Sequence, residues 1–199
     1  PVEVAILAWP WGAYLGPEAL EQGIQVTVSR WHKFSSSSMP AVAKACGQYV
    51  NSSLAVQDAV ARGFDEALLI DDNGIIAEGS GENLFLVQSG TIVTNDEKDN
   101  VLMGITRDAV ITLARDLGYR VQIGQMRLEE LEVADEAFFT GTAAEVTPIS
   151  SIDRRPIGNG RRGPVTAKLQ EAFFRVVSGH DPKYDHWLTY VGAKANAAG

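Results

Sequence analysis

Two glutamates, Glu78 and Glu82, interrupt the apolar run Ile75–Val87, which reads IIAEGSGENLFLV. The run begins and ends in the pattern of a strand, and a turn in its middle needs only glycine and a polar residue. A carboxylate at this strand end is therefore a candidate for chemistry. The glycines that follow Glu78 let the backbone turn close to a ligand.

Lys44 lies among small and apolar residues in the segment PAVAKACGQY, at the start of a helix that we predict over Ala41–Arg62. Desolvation disfavours the ammonium form of a lysine and lowers its pKa, which is what Schiff-base chemistry requires. The alternative is an ordinary lysine whose stem covers the helix while its charge reaches water. The residue types alone favour this alternative.

Two glycine-containing segments are candidates for anion binding. Gly104–Ala109 (GITRDA) places a hydroxyl and free backbone N–H groups at the start of a helix predicted over Thr106–Leu117, with Thr106 as its N-cap. Thr140–Glu145 (TGTAAE) is a second hydroxyl-bearing corner, and it leaves a strand. Each segment taken alone is better explained as an ordinary cap or turn, because neither matches a Walker-type loop.

The aromatic segment WPWGAYLG contains Trp11 and Tyr14 next to glycine and proline, and it suits a pocket wall slightly better than a core. The three histidines are scattered through the sequence without the spacing of metal ligands, so we predict no metal site.

Composition and charge narrow the function classes. The chain has 199 residues, with 17 basic and 25 acidic side chains and a formal net charge of −8, which argues against a nucleic-acid partner. The single cysteine, Cys46, excludes an internal disulfide and suits a reducing compartment. No apolar run approaches the ~20 residues of a membrane span, and the first residues lack the pattern of a secretory signal. We therefore expect a cytoplasmic location.

Helices alternate with strands that mostly come in hairpins. Strands are predicted at Val2–Ala8 and Ile24–Ser29, and hairpins turn at the Asn73-Gly74 and Ser89-Gly90 pairs. A final amphipathic helix is predicted over Gly163–Ser178. This order of elements indicates an α+β fold rather than a doubly wound sheet.

Four segments together resemble a known family, the fold-type IV (class IV) aminotransferases that use pyridoxal 5'-phosphate. In order, they read AKACGQY, EGSGENLF, LMGITRD and GTAAEVTPI. They are most similar to the branched-chain amino acid aminotransferases of that family. The resemblance extends from WPWGAYLG to GPVTAKLQEAFF, which is nearly the whole chain.

The resemblance implies a D-amino acid aminotransferase-like fold, a hairpin-rich pseudo-barrel surrounded by helices. Residues 1–191 would form the large C-terminal, cofactor-binding domain, and residues 192–199 would form a flexible tail. The smaller N-terminal domain of the family would be absent from this chain. An arginine of that domain contacts the cofactor phosphate in the family, so phosphate affinity should fall without it.

The resemblance also implies a role for each matched residue. Lys44 would form the Schiff base with the cofactor and then shuttle the substrate proton. Glu78 would pair with the pyridine nitrogen, and Tyr49 would bond the 3'-oxygen. The remaining expected contacts are the ring face (Leu102), the phosphate (Ile105, Thr106 and Thr142), the substrate carboxylate (Thr142 and Ala143) and the substrate side chain (Trp11 and Tyr14). Glu82 and Asn83 are expected to orient the turn or to bond nearby backbone.

The implied function is transamination of the branched-chain L-amino acids leucine, isoleucine and valine with 2-oxoglutarate, in a homodimer or a larger homo-oligomer. A D-amino acid aminotransferase and an aminodeoxychorismate lyase are alternatives within the fold type. A non-catalytic fragment that binds pyridoxal phosphate is an alternative from another class. A general α+β domain whose motifs are all structural turns would require four coincidences in order.

Overall fold

The computed structural model describes residues 2–10, 16 and 18–191, and the predicted tail at 192–199 lies outside them. The described residues form nine strands and five α-helices. The strands are β1 Ile24–Val28, β2 Glu66–Ile70, β3 Ile76–Gly79, β4 Asn83–Gln88, β5 Thr91–Thr94, β6 Arg120–Ile123, β7 Glu136–Gly141, β8 Glu145–Ile152 and β9 Arg155–Pro156. The helices are α1 Ala19–Gln22, α2 Tyr49–Ala61, α3 Ile105–Asp116, α4 Leu128–Glu132 and α5 Pro164–Val177. None of these helices has the length and apolar character of a membrane span.

All nine strands belong to one mixed sheet, in the order β3-β2-β1-β8-β7-β4-β5-β6, with β9 paired to β8. Strand β1 lies parallel to both of its neighbours, and β5 lies parallel to β6. The other pairs are antiparallel, and the predicted hairpin β4–β5 turns where Ser89 and Gly90 both have positive φ, 48° and 76°. This turn geometry matches the twist of the flanking strands. The predicted α+β class is confirmed.

The sheet curls so that its two edges approach each other. The N–H of Ile76, at the β3 edge, donates to the carbonyl of Met126 across 2.9 Å. Ile75 also forms an antiparallel bridge with Arg127. Because Met126 and Arg127 follow the opposite edge strand β6, the sheet forms the greater part of a barrel wall.

The two faces of this curved sheet bury different cores. Successive strand residues point to opposite faces, so Phe138 and Phe139 on β7 enter different clusters. Phe139 packs inside the curl, while Phe138 packs under α3 and α5, where its ring stacks on Phe85 with centroids 5.0 Å apart. A third, smaller cluster lies under α2 and includes Phe64. Helices α2, α3 and α5 are thereby fixed against the outside of the sheet.

Helix α5 is joined to the sheet by a buried carboxylate. Glu136 on β7 accepts hydrogen bonds from the N–H groups of Val165 and Thr166, at 2.9 and 2.8 Å, and from the Thr166 hydroxyl at 2.7 Å. These are N–H groups of the first helical turn, which have no partner within the helix. Gly163 is needed at the N-cap because a Cβ there would lie 2.1 Å from Cδ of Glu136.

The predicted helix over Ala41–Arg62 begins eight residues later than expected, at Tyr49, after a short 3-10 helix at Cys46–Gln48. The segment before it folds into a turn around Pro40. The Pro40 carbonyl accepts hydrogen bonds from the N–H of Ala43 at 3.1 Å and from Nε2 of Gln48 at 2.6 Å. The helical spacing of apolar residues is therefore not sufficient to start the helix.

The prediction of a strand at Val2–Ala8 is wrong for the structure. Residues 2–10 form no strand, and Val2 and Ile6 are each 94% exposed. A strand requires a neighbour with which to form hydrogen bonds, and none of the nine described strands pairs with this segment. The β-branched residues alone therefore gave a false signal.

Candidate active site

A cavity of about 560 Å³ opens at one end of the curved sheet. Its walls come from the start of α2, the start of α3, the β3–β4 turn and the β7–β8 corner. Seven of the sequence-predicted site residues line it: Lys44, Tyr49, Glu78, Leu102, Ile105, Thr106 and Thr142. The volume lies in the range of small-molecule sites, roughly 300–1,000 Å³.

Lys44 lies at the rim of this cavity and is exposed, in the turn that precedes the 3-10 helix. The expectation that its small neighbours would bury it is wrong, because alanine side chains are too short to cover a lysine and the residue lies outside the helix. Tyr49 is the first residue of α2 and lines the same cavity. The 3-10 turn between them brings both side chains to one opening.

Glu78 projects from β3 into the cavity wall, and both of its carboxylate oxygens are held. Oε1 lies 2.5 Å from Nζ of Lys33, and Oε2 accepts the backbone N–H of Leu102 at 2.8 Å. The Lys33 side chain is 4% exposed and that of Glu78 10%, so the ion pair is buried. Burial raises the pKa of the Glu78 carboxyl, and the Lys33 ammonium opposes that rise.

Lys33 is a site residue that the sequence did not reveal. It stands in the polar segment KFSSSSMP, which gives no sign of burial. Its backbone N–H donates to the carbonyl of Ile70 at 2.8 Å, which ties this segment to the end of β2. Only the pairing of β1 with β2 brings Lys33 to Glu78.

Glu82 and Asn83 bond nearby backbone, as the sequence predicted. Oε2 of Glu82 accepts the N–H of Gly81 at 2.9 Å, and Nδ2 of Asn83 donates to the carbonyl of Leu102 at 2.7 Å. Burial, together with the negative charge of Glu66, raises the pKa of Glu82 to about 8.

Glu66 is a second buried carboxyl in this region, and it was not predicted. It is completely buried and accepts hydrogen bonds from the Ala67 N–H at 2.6 Å and the Ser80 hydroxyl at 3.0 Å. Burial also raises the pKa of Glu66. Three buried carboxyls therefore surround the β3–β4 turn, and the Lys33 side chain is paired with only one of them.

The start of α3 offers the cavity an anion cradle. Its N-cap is Gly104, not Thr106 as predicted, and no side chain caps the helix. The first N–H groups of the helix are therefore available to a ligand, and the helix dipole favours negative charge there. A Cβ on Gly104 would lie 2.3 Å from Oδ1 of Asn83, so only glycine fits. Thr106 and Thr142 add hydroxyl groups to the same wall.

Three predicted substrate contacts are not found in the cavity wall. Ala143 is exposed and does not line the cavity, although it follows Thr142 directly. Trp11 and Tyr14 lie outside the described residues.

The donor set fits one kind of ligand. A primary amine, a buried carboxylate and an uncapped helix start match an aldehyde, a ring nitrogen and a phosphate, the three polar parts of pyridoxal phosphate. Within the ranges that the structure describes, no group of three or more histidine, cysteine or acidic side chains is placed to hold a metal ion.

Known proteins share this fold and much of this sequence. The chain is 50% identical over 190 residues to the branched-chain-amino-acid aminotransferase of Pseudomonas aeruginosa, covering 96% of this chain and 62% of that relative. A branched-chain amino acid aminotransferase from the organism abbreviated T.th., solved with pyridoxamine 5'-phosphate, is 53% identical with a TM-score of 0.87, over 92% of this chain and 59% of that one. The same enzyme complexed with 4-methylvaleric acid gives 51% and 0.84, over 86% and 57%.

These similarities confirm the fold-type IV architecture that the motifs implied. The chain spans about three fifths of the length of the relatives it matches. The amino-transferase class IV family model matches residues 1–152, which is most of the chain and includes Lys44, Glu78 and the start of α3. The chain therefore belongs to the class IV aminotransferases.

Proposed function

We propose that this chain is the cofactor-binding large domain, residues 1–191, of a branched-chain amino acid aminotransferase that uses pyridoxal 5'-phosphate. The observation that carries this proposal is the meeting of Lys44, Glu78 and the uncapped start of α3 in one cavity. The relatives named above, which are half identical to the chain, support the same activity.

Pyridoxal phosphate, when bound, supplies an aldehyde carbon that amines attack and a ring that accepts the electrons released at the substrate Cα. Lys44 is the residue proposed to hold that carbon through Nζ and then to carry the proton from the substrate Cα. Its exposed position at the rim leaves Nζ accessible to an incoming amino acid.

Glu78 is proposed to accept the N–H of the cofactor's ring nitrogen. Each of its oxygens already accepts one hydrogen bond, from Lys33 or from the Leu102 backbone. A carboxylate oxygen has two lone pairs, so each can accept one more. The two existing bonds fix the plane of the carboxylate, and Leu102 also offers its side chain to the ring face.

The phosphate is proposed to lie against the start of α3. Backbone N–H groups of Ile105 and Thr106, with the hydroxyls of Thr106 and Thr142, would donate to it. Tyr49 lies across the cavity from this helix, at the start of α2, where it is proposed to bond the 3'-oxygen.

The substrate class follows from the relatives. One of them was solved with 4-methylvaleric acid, an acid with a branched aliphatic chain. We propose the same class here, with Thr142 and Ala143 at the substrate carboxylate and with Trp11 and Tyr14 around the aliphatic chain. We also propose a cytoplasmic homodimer or larger homo-oligomer, for which the single cysteine and the resemblance are the support.

Transamination of L-leucine with 2-oxoglutarate, followed by a coupled assay for glutamate, tests the activity. We expect turnover of L-leucine, L-isoleucine and L-valine that Lys44→Ala abolishes. Turnover of D-alanine without turnover of L-leucine would instead support a D-amino acid aminotransferase.

A further inference from the structure

Lys33 occupies a position that none of the proposed roles uses. Its Nζ lies 2.5 Å from Oε1 of Glu78 and 4.6 Å from the centroid of the Phe34 ring. Its backbone is fixed by the hydrogen bond to Ile70, so the side chain extends from an anchored segment.

The burial of this ion pair separates it from an ordinary surface salt bridge. With 4% and 10% of the two side chains exposed, water cannot replace either partner. Removing one partner of a buried pair leaves an uncompensated charge, which is strongly unfavourable. The pair also lines the cavity, where a bound ligand would meet the carboxylate.

We propose that Lys33 is a positioning residue of the cofactor site, whose ammonium group keeps Glu78 ionised and fixes its carboxylate opposite the Leu102 N–H. This role rests on the proposed function, because a protonated ring nitrogen requires an ionised acceptor. A purely structural ion pair would hold the loop in place without affecting the protonation of a ligand.

The other charges around Glu78 do not replace Lys33. Lys44 also favours the ionised form of Glu78, but it lowers the Glu78 pKa least of the contacts that do so. Glu82 and Glu66 are carboxyls, and any negative charge on them disfavours ionisation of Glu78. Burial alone raises the pKa of Glu78, and the Lys33 charge is the largest influence that opposes it.

The first test is the titration of the Glu78 carboxyl carbon by NMR, with Glu78→Gln to assign the signal. We expect Glu78 to be ionised at neutral pH in the wild type, and Lys33→Gln to move its titration midpoint upward by about 1–3 pH units. Lys33→Arg, which keeps the charge, should restore a midpoint close to that of the wild type. A wild-type Glu78 that is protonated at neutral pH would overturn the proposal, even if Lys33→Gln fails to fold.

The second test measures the protons taken up when pyridoxamine 5'-phosphate binds, by calorimetry in buffers of different ionisation enthalpy. The wild type starts with an ionised Glu78, whereas Lys33→Gln starts with a protonated one. We therefore expect the variant to take up as much as about one proton fewer per ligand at neutral pH, with Lys33→Arg close to the wild type. Binding with equal proton uptake in all three would overturn the role of Lys33 alone. Absence of binding to the wild type would overturn the proposed function, and this role with it.

Discussion

The backbone N–H of Leu102 donates a hydrogen bond to Oε2 of Glu78 across 2.8 Å. The carbonyl of the same residue accepts Nδ2 of Asn83 at 2.7 Å. Both polar groups of the Leu102 backbone are therefore held by the β3–β4 turn. Since α3 begins three residues later, the turn that carries the carboxylate also positions the anion cradle.

Asn83→Ala should loosen this connection, because it leaves the Leu102 carbonyl without its partner. We expect a loss of about 1–3 kcal/mol in the free energy of unfolding, measured by urea denaturation, and weaker binding of pyridoxamine 5'-phosphate. Asn159→Ala, in an exposed loop, is the matched control and should change the stability by no more than about 0.5 kcal/mol. Equal effects of the two substitutions would contradict this role of Asn83.

Gly104→Ala should disturb the same connection by steric conflict, because the added Cβ would meet Oδ1 of Asn83 at 2.3 Å. We expect a destabilisation of about 1–3 kcal/mol, together with weaker binding of inorganic phosphate and of pyridoxamine 5'-phosphate. The control is Gly124→Ala, since nothing lies within 4 Å of a Cβ at Gly124. If Gly104→Ala binds both ligands as the wild type does, the α3 cradle is not the phosphate site.

Glu78→Gln should affect stability as well as catalysis, because it leaves the Lys33 ammonium buried without a counter-ion. We expect a loss of about 3–5 kcal/mol in the free energy of unfolding. The double variant Lys33→Met with Glu78→Gln should regain a large part of that loss, since it removes the buried charge. Additive effects of the two single changes in this double-mutant cycle would show that the pair is not coupled.

Glu82 should make stability fall as the pH rises. Its pKa in the folded chain, about 8, lies above the ordinary value of 4.5, so the proton stabilises the native state. This contribution is complete below about pH 4.5 and is lost as the pH rises through about 8. Urea denaturation across this range should show a weaker decline in stability for Glu82→Gln than for the wild type. A steeper decline in Glu82→Gln would contradict the raised pKa.

Local signals in the sequence predicted most of the elements. The Asn73-Gly74 and Ser89-Gly90 pairs specified their turns because few residues tolerate positive φ. Glycine stops and apolar spacing placed the bounds of α3 and α5 within one residue. The four motifs likewise identified the residues that line the cavity.

Features that depend on distant segments were not predictable. Lys33 meets Glu78 only because β1 and β2 pair in parallel, and no local pattern encodes that pairing. The burial of Glu136 as the cap of α5 depends on the same kind of long-range contact. Conversely, Val2–Ala8 has the residue types of a strand but lacks a partner strand among the described residues. Hydrogen-bonded neighbours, rather than propensity, decide such cases.

Reductive trapping of pyridoxal phosphate tests the central claim most directly. Two lysines line the cavity, and the proposal assigns the covalent link to Lys44 while Lys33 remains paired with Glu78. After incubation with pyridoxal phosphate and reduction with borohydride, peptide mass spectrometry should locate one phosphopyridoxyl group on Lys44, and Lys44→Ala should lack it. Modification of Lys33 instead, or no lysine adduct in the cavity, would contradict the proposed function.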